Sequence, residues 1–204
     1  MDTEFIKKSI ENSENSISKL DNEILKISGW SSNKVRHLLN NLCSLENINY
    51  LEIGLLLGST FISALYKNNF KSAIGIDLQI HKEFYDNRNK FLSEYENIKI
   101  IENNCFSLDL NFIENKIDIF LYDGDHSEID QERAFSYYDK ILNNKFIAIV
   151  DDWNDIPSQI GTKKAFEKLN YKVIYERELF SDGNCDINKW WNGIYVGLIE
   201  KDIL

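Results

Sequence analysis

The sequence predicts an α/β fold: a doubly wound, mostly parallel seven-stranded sheet whose last strand runs antiparallel, behind an N-terminal helical extension. Three observations predict it. From Asn49 onward, five short β-rich runs alternate with helical patterns. The last two β-rich runs are joined by a polar loop with no helical pattern between them. Everything before Asn49 carries helical spacing alone.

The extension comes first. Phe5, Ile6, Ile10, Ile17, Leu20, Ile24, Leu25 and Ile27 fall on one face of an amphipathic helix over 3–27, with a break at the polar stretch Asn12 to Asn15. In GWSSNKVRHLLNNL, Gly29 ends one helix and the serines cap the next. The β-rich runs are YLEIG (50–54), SAIGID (72–77), NIKII (97–101), IDIFLYD (117–123) and FIAIVDD (146–152). Helical patterns occupy 59–67, 83–95, a short stretch at 107–114, and 127–142. Apolar strands alternating with helices imply a parallel sheet covered on both faces. A helix at 159–169 leads to YKVIYERELF, a polar loop and GIYVGLIEK, an antiparallel pair. The expected division is a helical extension, 1–45, and a ligand-binding domain, 46–204.

Bulk properties bound the function. With 43% hydrophobic and 13% aromatic residues, the chain has material for a core and is not a disordered one. The formal net charge is −10 and the basic residues are scattered, so neither nucleic acid nor an anionic membrane is an expected partner. Small molecules carrying positive charge are favoured instead. Cys43, Cys105 and Cys185 lie far apart and form no CxxC, which reads as free thiols in a reducing compartment. The polar N-terminus lacks the apolar core of a secretory signal, and no apolar run approaches the ~20 residues of a membrane span. The expected location is cytoplasmic.

In a doubly wound sheet, ligands bind beyond the carboxyl ends of the strands. The first strand–helix turn reads LEIGLLLGST, residues 51–60. Gly54 lets the chain leave the strand, Gly58 opens the helix, and Ser59 and Thr60 bring hydroxyls to its start. Asp77 ends the second run, where an acidic residue can bind ribose hydroxyls. The GxxxG spacing is not the GxGxxG of dinucleotide enzymes.

These residues resemble the class I S-adenosylmethionine-dependent methyltransferases. LEIGLLLGST is similar to their first motif and AIGID to their second, over roughly residues 30–200. Leu56 stands where most members carry a middle glycine. One branch commonly lacks it: the metal-dependent sugar and antibiotic O-methyltransferases, similar to macrocin and rhamnosyl O-methyltransferases and to cephalosporin-hydroxylase-like proteins. The resemblance implies a Rossmann-like methyltransferase fold and S-adenosylmethionine contacts at Glu52, Gly54, Gly58, Ser59, Thr60, Asp77 and Asp123. IENNCFSLD follows the third strand, where this fold contacts adenine, so Asn104, Cys105 and Phe106 are candidates there.

The fourth strand ends in LYDGDHSE and the fifth in IVDDWN. As neighbours, they bring Asp123, Asp125, His126, Asp151 and Asp152 into one cleft. Carboxylates that close repel, and a proton or a hard divalent cation relieves them. The resemblance implies that Asp123, Asp151 and Asp152 bind Mg2+ or another divalent cation and that His126 is the general base, with Asp125 orienting it. Metal coordination lowers a hydroxyl pKa and a histidine then takes the proton. The expected partner is a small hydroxylated acceptor such as a sugar, with Trp153, Trp190 or Trp191 offering an aromatic face. Two other readings stand beside this one: a metal-dependent hydroxylase-like oxidoreductase, and a non-catalytic methyltransferase-fold interaction protein whose N-terminal helix makes a homodimer.

Overall fold

In the computed structural model, which describes residues 1–202, the extension is built as two helices and a turn. The Asp2 carboxylate accepts from Phe5 N–H and starts α1 (Thr3–Glu14), which buries Ile6 and Ile10. This helix ends at the break expected at Asn12 to Asn15, and the helical pattern beyond is not continued as an α-helix. Ser16 takes a left-handed φ of 56°, and only a 3₁₀ turn, Ile24–Lys26, follows. Asn and Ser side chains compete for backbone hydrogen bonds, which favours turns over a continued helix. Ser32 caps α2 (Asn33–Leu42) by accepting from Val35 N–H.

The sheet has strands β1 (Asn49–Ile53), β2 (Ser72–Asp77), β3 (Ile98–Glu102), β4 (Ile117–Tyr122), β5 (Leu142–Asp151), β6 (Tyr171–Leu179) and β7 (Ile194–Lys201). Their spatial order is β3-β2-β1-β4-β5-β7-β6, and β7 runs antiparallel to both its neighbours. Helices α3 (Ser59–Leu65), α4 (Lys82–Leu92), α5 (Glu128–Tyr138) and α6 (Ile156–Lys168) make the crossovers. The pattern at 107–114 yields only a 3₁₀ turn, Leu110–Phe112. The expected fold class is the observed one. Strand order reverses between β1 and β4, so their carboxyl ends diverge and leave a crevice.

Two apolar layers cover the sheet. One joins Ile6, Ile10, Val35, Leu38, Phe61 and Leu198. The other joins Phe120, Phe135, Trp153, Phe166 and Tyr195. The apolar face of α1 is therefore already covered within the chain. Arg36 locks this arrangement: its buried guanidinium donates to Ser63 Oγ at 2.9 Å and to the carbonyls of Leu25, Ile27 and Ile24. It closes the carbonyl end of the 3₁₀ turn and ties the extension to α3. The last two residues of the expected 46–204 unit lie outside the described residues.

Candidate active site

A cavity of about 930 Å³ opens at the carboxyl ends of β1, β2, β4 and β5. Gly54, Leu55, Leu56, Ser59 and Thr60 wall one side, Asp77, Asn104 and Cys105 another, and Asp123, Asp125, His126, Asp151 and Asp152 a third. Most of the residues selected from sequence therefore meet in one place.

The β1–α3 turn is built around glycine. Gly54 has φ +90°, and a Cβ there would lie 2.0 Å from the Asp123 carbonyl oxygen. The two strand ends can approach only because that atom is missing. Gly58 caps α3 in the left-handed region, with φ +87°. Leu56 also has a positive φ of 45°. Its backbone is held by Asp77, whose Oδ2 accepts from Leu55 N–H at 2.7 Å and Leu56 N–H at 3.0 Å. Gln79 N–H donates to Asp77 Oδ1 at 3.2 Å. Asp77 thus lines the cavity while bracing the turn, a duty the sequence did not reveal.

Three expectations are corrected in detail. Glu52 does not line the cavity. It is fully buried behind the turn, where Thr60 Oγ1 donates to it at 2.6 Å and the Tyr50 hydroxyl donates to its other oxygen. Burial raises its pKa to about 8. It shapes the turn from behind, and the Thr60 hydroxyl is committed to it. Gly58 likewise sits behind the lining, against Ile62 and Phe84. Asp125 is exposed and accepts from Ser127 N–H at 2.8 Å. It does not hold His126.

Asp152 holds His126 instead. His126 Nε2 lies 2.9 Å from Asp152 Oδ2, and that hydrogen bond raises the histidine pKa above its ordinary value. Asp152 has φ +49°, which costs a non-glycine residue roughly 1 kcal/mol or more. Burial opposes its ionisation, but the bonds to His126 and the Asn192 side chain leave its pKa lowered. Its neighbours go the other way. Burial and the charge of Asp152 raise the Asp151 pKa to about 7. Burial, followed by Asp151 and Asp152, pushes Asp123 well above the carboxylate range. Asp151 Oδ1, Asp152 Oδ1 and His126 Nδ1 are buried without partners. Ligating atoms of Asp123, His126 and Asp152 lie within 4.8 Å of one another. This triad differs from the expected Asp123, Asp151 and Asp152 set by containing the imidazole.

Sequence reasoning missed several lining residues, among them Gln79, His81, Tyr122, Asp130, Trp30 and Asn192. Trp30 comes from the extension and Asn192 from the β6–β7 loop. Neither belongs to a motif. Asn192 also accepts from Cys185 N–H at 2.6 Å, and its carbonyl accepts from Asn154 N–H at 2.7 Å, tying the loop to the end of β5. Of the three tryptophans selected, Trp191 lines the cavity, whereas Trp153 and Trp190 are buried away from it. Among the described residues, no helix is long and apolar enough to cross a membrane.

No protein-family model matches the chain. An uncharacterized protein of Acanthamoeba polyphaga mimivirus is 30% identical over 132 residues, covering 58% of this chain and 59% of that one. A candidate S-adenosylmethionine-dependent methyltransferase from Streptococcus mutans superposes with a TM-score of 0.60 at 16% identity, over 82% of this chain and 48% of that one. The chain thus spans about half the length of these first two relatives. The O-methyltransferase TomG of Streptomyces achromogenes, solved with S-adenosylmethionine, gives a TM-score of 0.57 at 15% identity, over 98% and 91%. By strand order, the antiparallel last strand and these superpositions, the chain has the Rossmann-like fold of S-adenosylmethionine-dependent methyltransferases.

Proposed function

We propose that the chain is an S-adenosylmethionine-dependent, divalent-metal-assisted O-methyltransferase acting on a hydroxyl of a sugar or another small ring compound. The observation that carries this reading is the set of buried, unpartnered atoms on Asp151, Asp152 and His126 beside the glycine turn. Buried polar atoms are normally hydrogen-bonded, so such a cluster suits a ligand. The donor set fits a hard cation, because carboxylates dominate it and their mutual repulsion is unrelieved. Asp123, Asp151 and Asp152 would hold the cation. Gly54 to Leu56, Ser59, Asp77, Asn104 and Cys105 would surround the cofactor.

When bound, the cation lowers the pKa of an acceptor hydroxyl and S-adenosylmethionine supplies an electrophilic methyl group. The chain's own residues do the rest. With the Nε2 hydrogen donated to Asp152, His126 keeps its Nδ1 lone pair free, and Nδ1 is the atom that takes the hydroxyl proton. Asp152 fixes the ring's orientation and tautomer. The turn and the facing acids set the distance between the reacting groups, and that positioning is the main contribution to rate. Acidic walls also suit a cationic sulfonium.

The Asp123, His126 and Asp152 triad favours a second reading, because an imidazole among carboxylates is the ligand type of iron oxygenases. Calorimetry with S-adenosylmethionine, with magnesium and then with chelator, separates the two. The expected result is saturable binding, with acceptor-dependent release of S-adenosylhomocysteine that requires magnesium. Absence of binding in both conditions removes the methyltransferase reading. Iron-dependent oxygen uptake would favour the hydroxylase.

A further inference from the structure

Trp30 is 73% exposed, yet it lines the cavity that holds His126 and Asp123. A tryptophan so open to water is unusual unless it meets a partner. Its backbone is fixed on both sides. Gly29 lies so close to Ser59 that a Cβ would fall 2.1 Å from Ser59 Oγ. Ser32 Oγ donates to the Lys189 carbonyl at 2.5 Å, joining this segment to the β6–β7 loop. Trp191 lines the same cavity from that loop. It sits at φ +60°, locked by backbone hydrogen bonds in both directions with Asp186. Two tryptophans from distant parts of the chain therefore line one cavity from pinned backbone.

The charge of the lining narrows what they meet. Among the described residues lining the cavity, six are aspartates and none is Lys or Arg. No basic side chain of the lining would offset the charge of a phosphorylated or carboxylated acceptor. Indole faces bind flat apolar surfaces and attract cations.

We propose that Trp30 and Trp191 form the platform for the acceptor, and that the acceptor is a ring compound that is uncharged or amine-bearing and not phosphorylated. This rests on the proposed methyl-transfer reading for its role in turnover, but the binding it predicts is independent of turnover.

The test uses the full chain, with and without S-adenosylhomocysteine. The probes are a methyl glycoside, an amino sugar, catechol and a sugar phosphate, followed by saturation-transfer NMR and titration. At least one uncharged or amine-bearing probe should bind and the sugar phosphate should not. Trp30→Ala should weaken that binding by ~10-fold, as expected for the loss of one stacking face, and Trp30→Phe should restore most of it. Affinity for S-adenosylhomocysteine should stay within ~2-fold in both variants, which also reports that they fold. Binding of none of the probes, tighter binding of the sugar phosphate, or affinity unchanged in Trp30→Ala would each overturn the proposal. Failure of S-adenosylhomocysteine to bind the native chain would instead count against the methyltransferase reading, and the probes would still measure the platform in the unliganded protein.

Discussion

The two halves of the crevice are built on opposite terms. At the β1–α3 turn, the carboxylates are occupied. Asp77 accepts from Leu55 and Leu56, and Glu52 from Thr60 and Tyr50. At the ends of β4 and β5, Asp151, Asp152 and His126 each keep a buried atom without a partner, and burial, with the charge of neighbouring acids, raises the pKa of Asp123 and Asp151. The first half keeps its shape by internal hydrogen bonds. The second stores electrostatic repulsion that a proton or cation relieves. The contrast teaches that burial alone does not mark a reactive group. Glu52 is buried and perturbed, yet satisfied; Asp151 is buried, perturbed and unsatisfied.

The largest effect expected from breaking this contrast lies in the unsatisfied half. His126→Ala should lower turnover by ~10²-fold or more, as for removal of a general base. Affinity for S-adenosylhomocysteine should be nearly unchanged, because the turn is untouched. Magnesium affinity distinguishes the roles: an unchanged titration keeps His126 as the base, and a lost one makes it a ligand. A steady-state assay with a parallel metal titration reads both.

Next in size is the seam between the halves. Gly54→Ala forces a Cβ against the Asp123 carbonyl at a φ that alanine disfavours. It should cost about 2 kcal/mol or more of stability, measured by denaturant unfolding. A fall of less than about 0.5 kcal/mol would mean the strand ends can separate freely.

The smallest effect is in the satisfied half. Folding raises the Glu52 pKa from its ordinary 4.5 to about 8, so the folded state holds this proton more tightly. The unfolded state loses its proton first, and this group's stabilisation declines as pH rises from about 4.5 to 8. Glu52→Gln removes that titration. Its melting temperature, relative to the native chain, should improve by roughly 2–4 °C between pH 5 and pH 6, equivalent to about 1 kcal/mol. A parallel pair of melting curves would show that Glu52 is ionised in the folded protein or not shielded as described.

Much of this was legible before folding, and the exceptions share a cause. Strand and helix alternation follows from side-chain periodicity, a local property, so the seven strands and the antiparallel last one were readable from runs such as FIAIVDD and GIYVGLIEK. DGDH and DD each end a strand, and parallel pairing of β4 with β5 brings them together. The helical pattern over 3–27 breaks at the Asn and Ser side chains of 12–16, as expected, but beyond them it yields only the 3₁₀ turn Ile24–Lys26, which apolar spacing does not report.

The sequence by itself determined the fold class, the glycine turn and the acidic composition of the crevice, because each is written in residues close along the chain. Tertiary structure alone decided which groups face it. Glu52 faces inward, where Tyr50 and Thr60 donate to it, and Asp152 rather than Asp125 holds His126. It also brought Trp30 and Asn192 to the cavity wall from segments with no motif. Hydrogen-bond partners and cavity walls are chosen among residues remote in sequence, and only the packed chain brings those residues into reach.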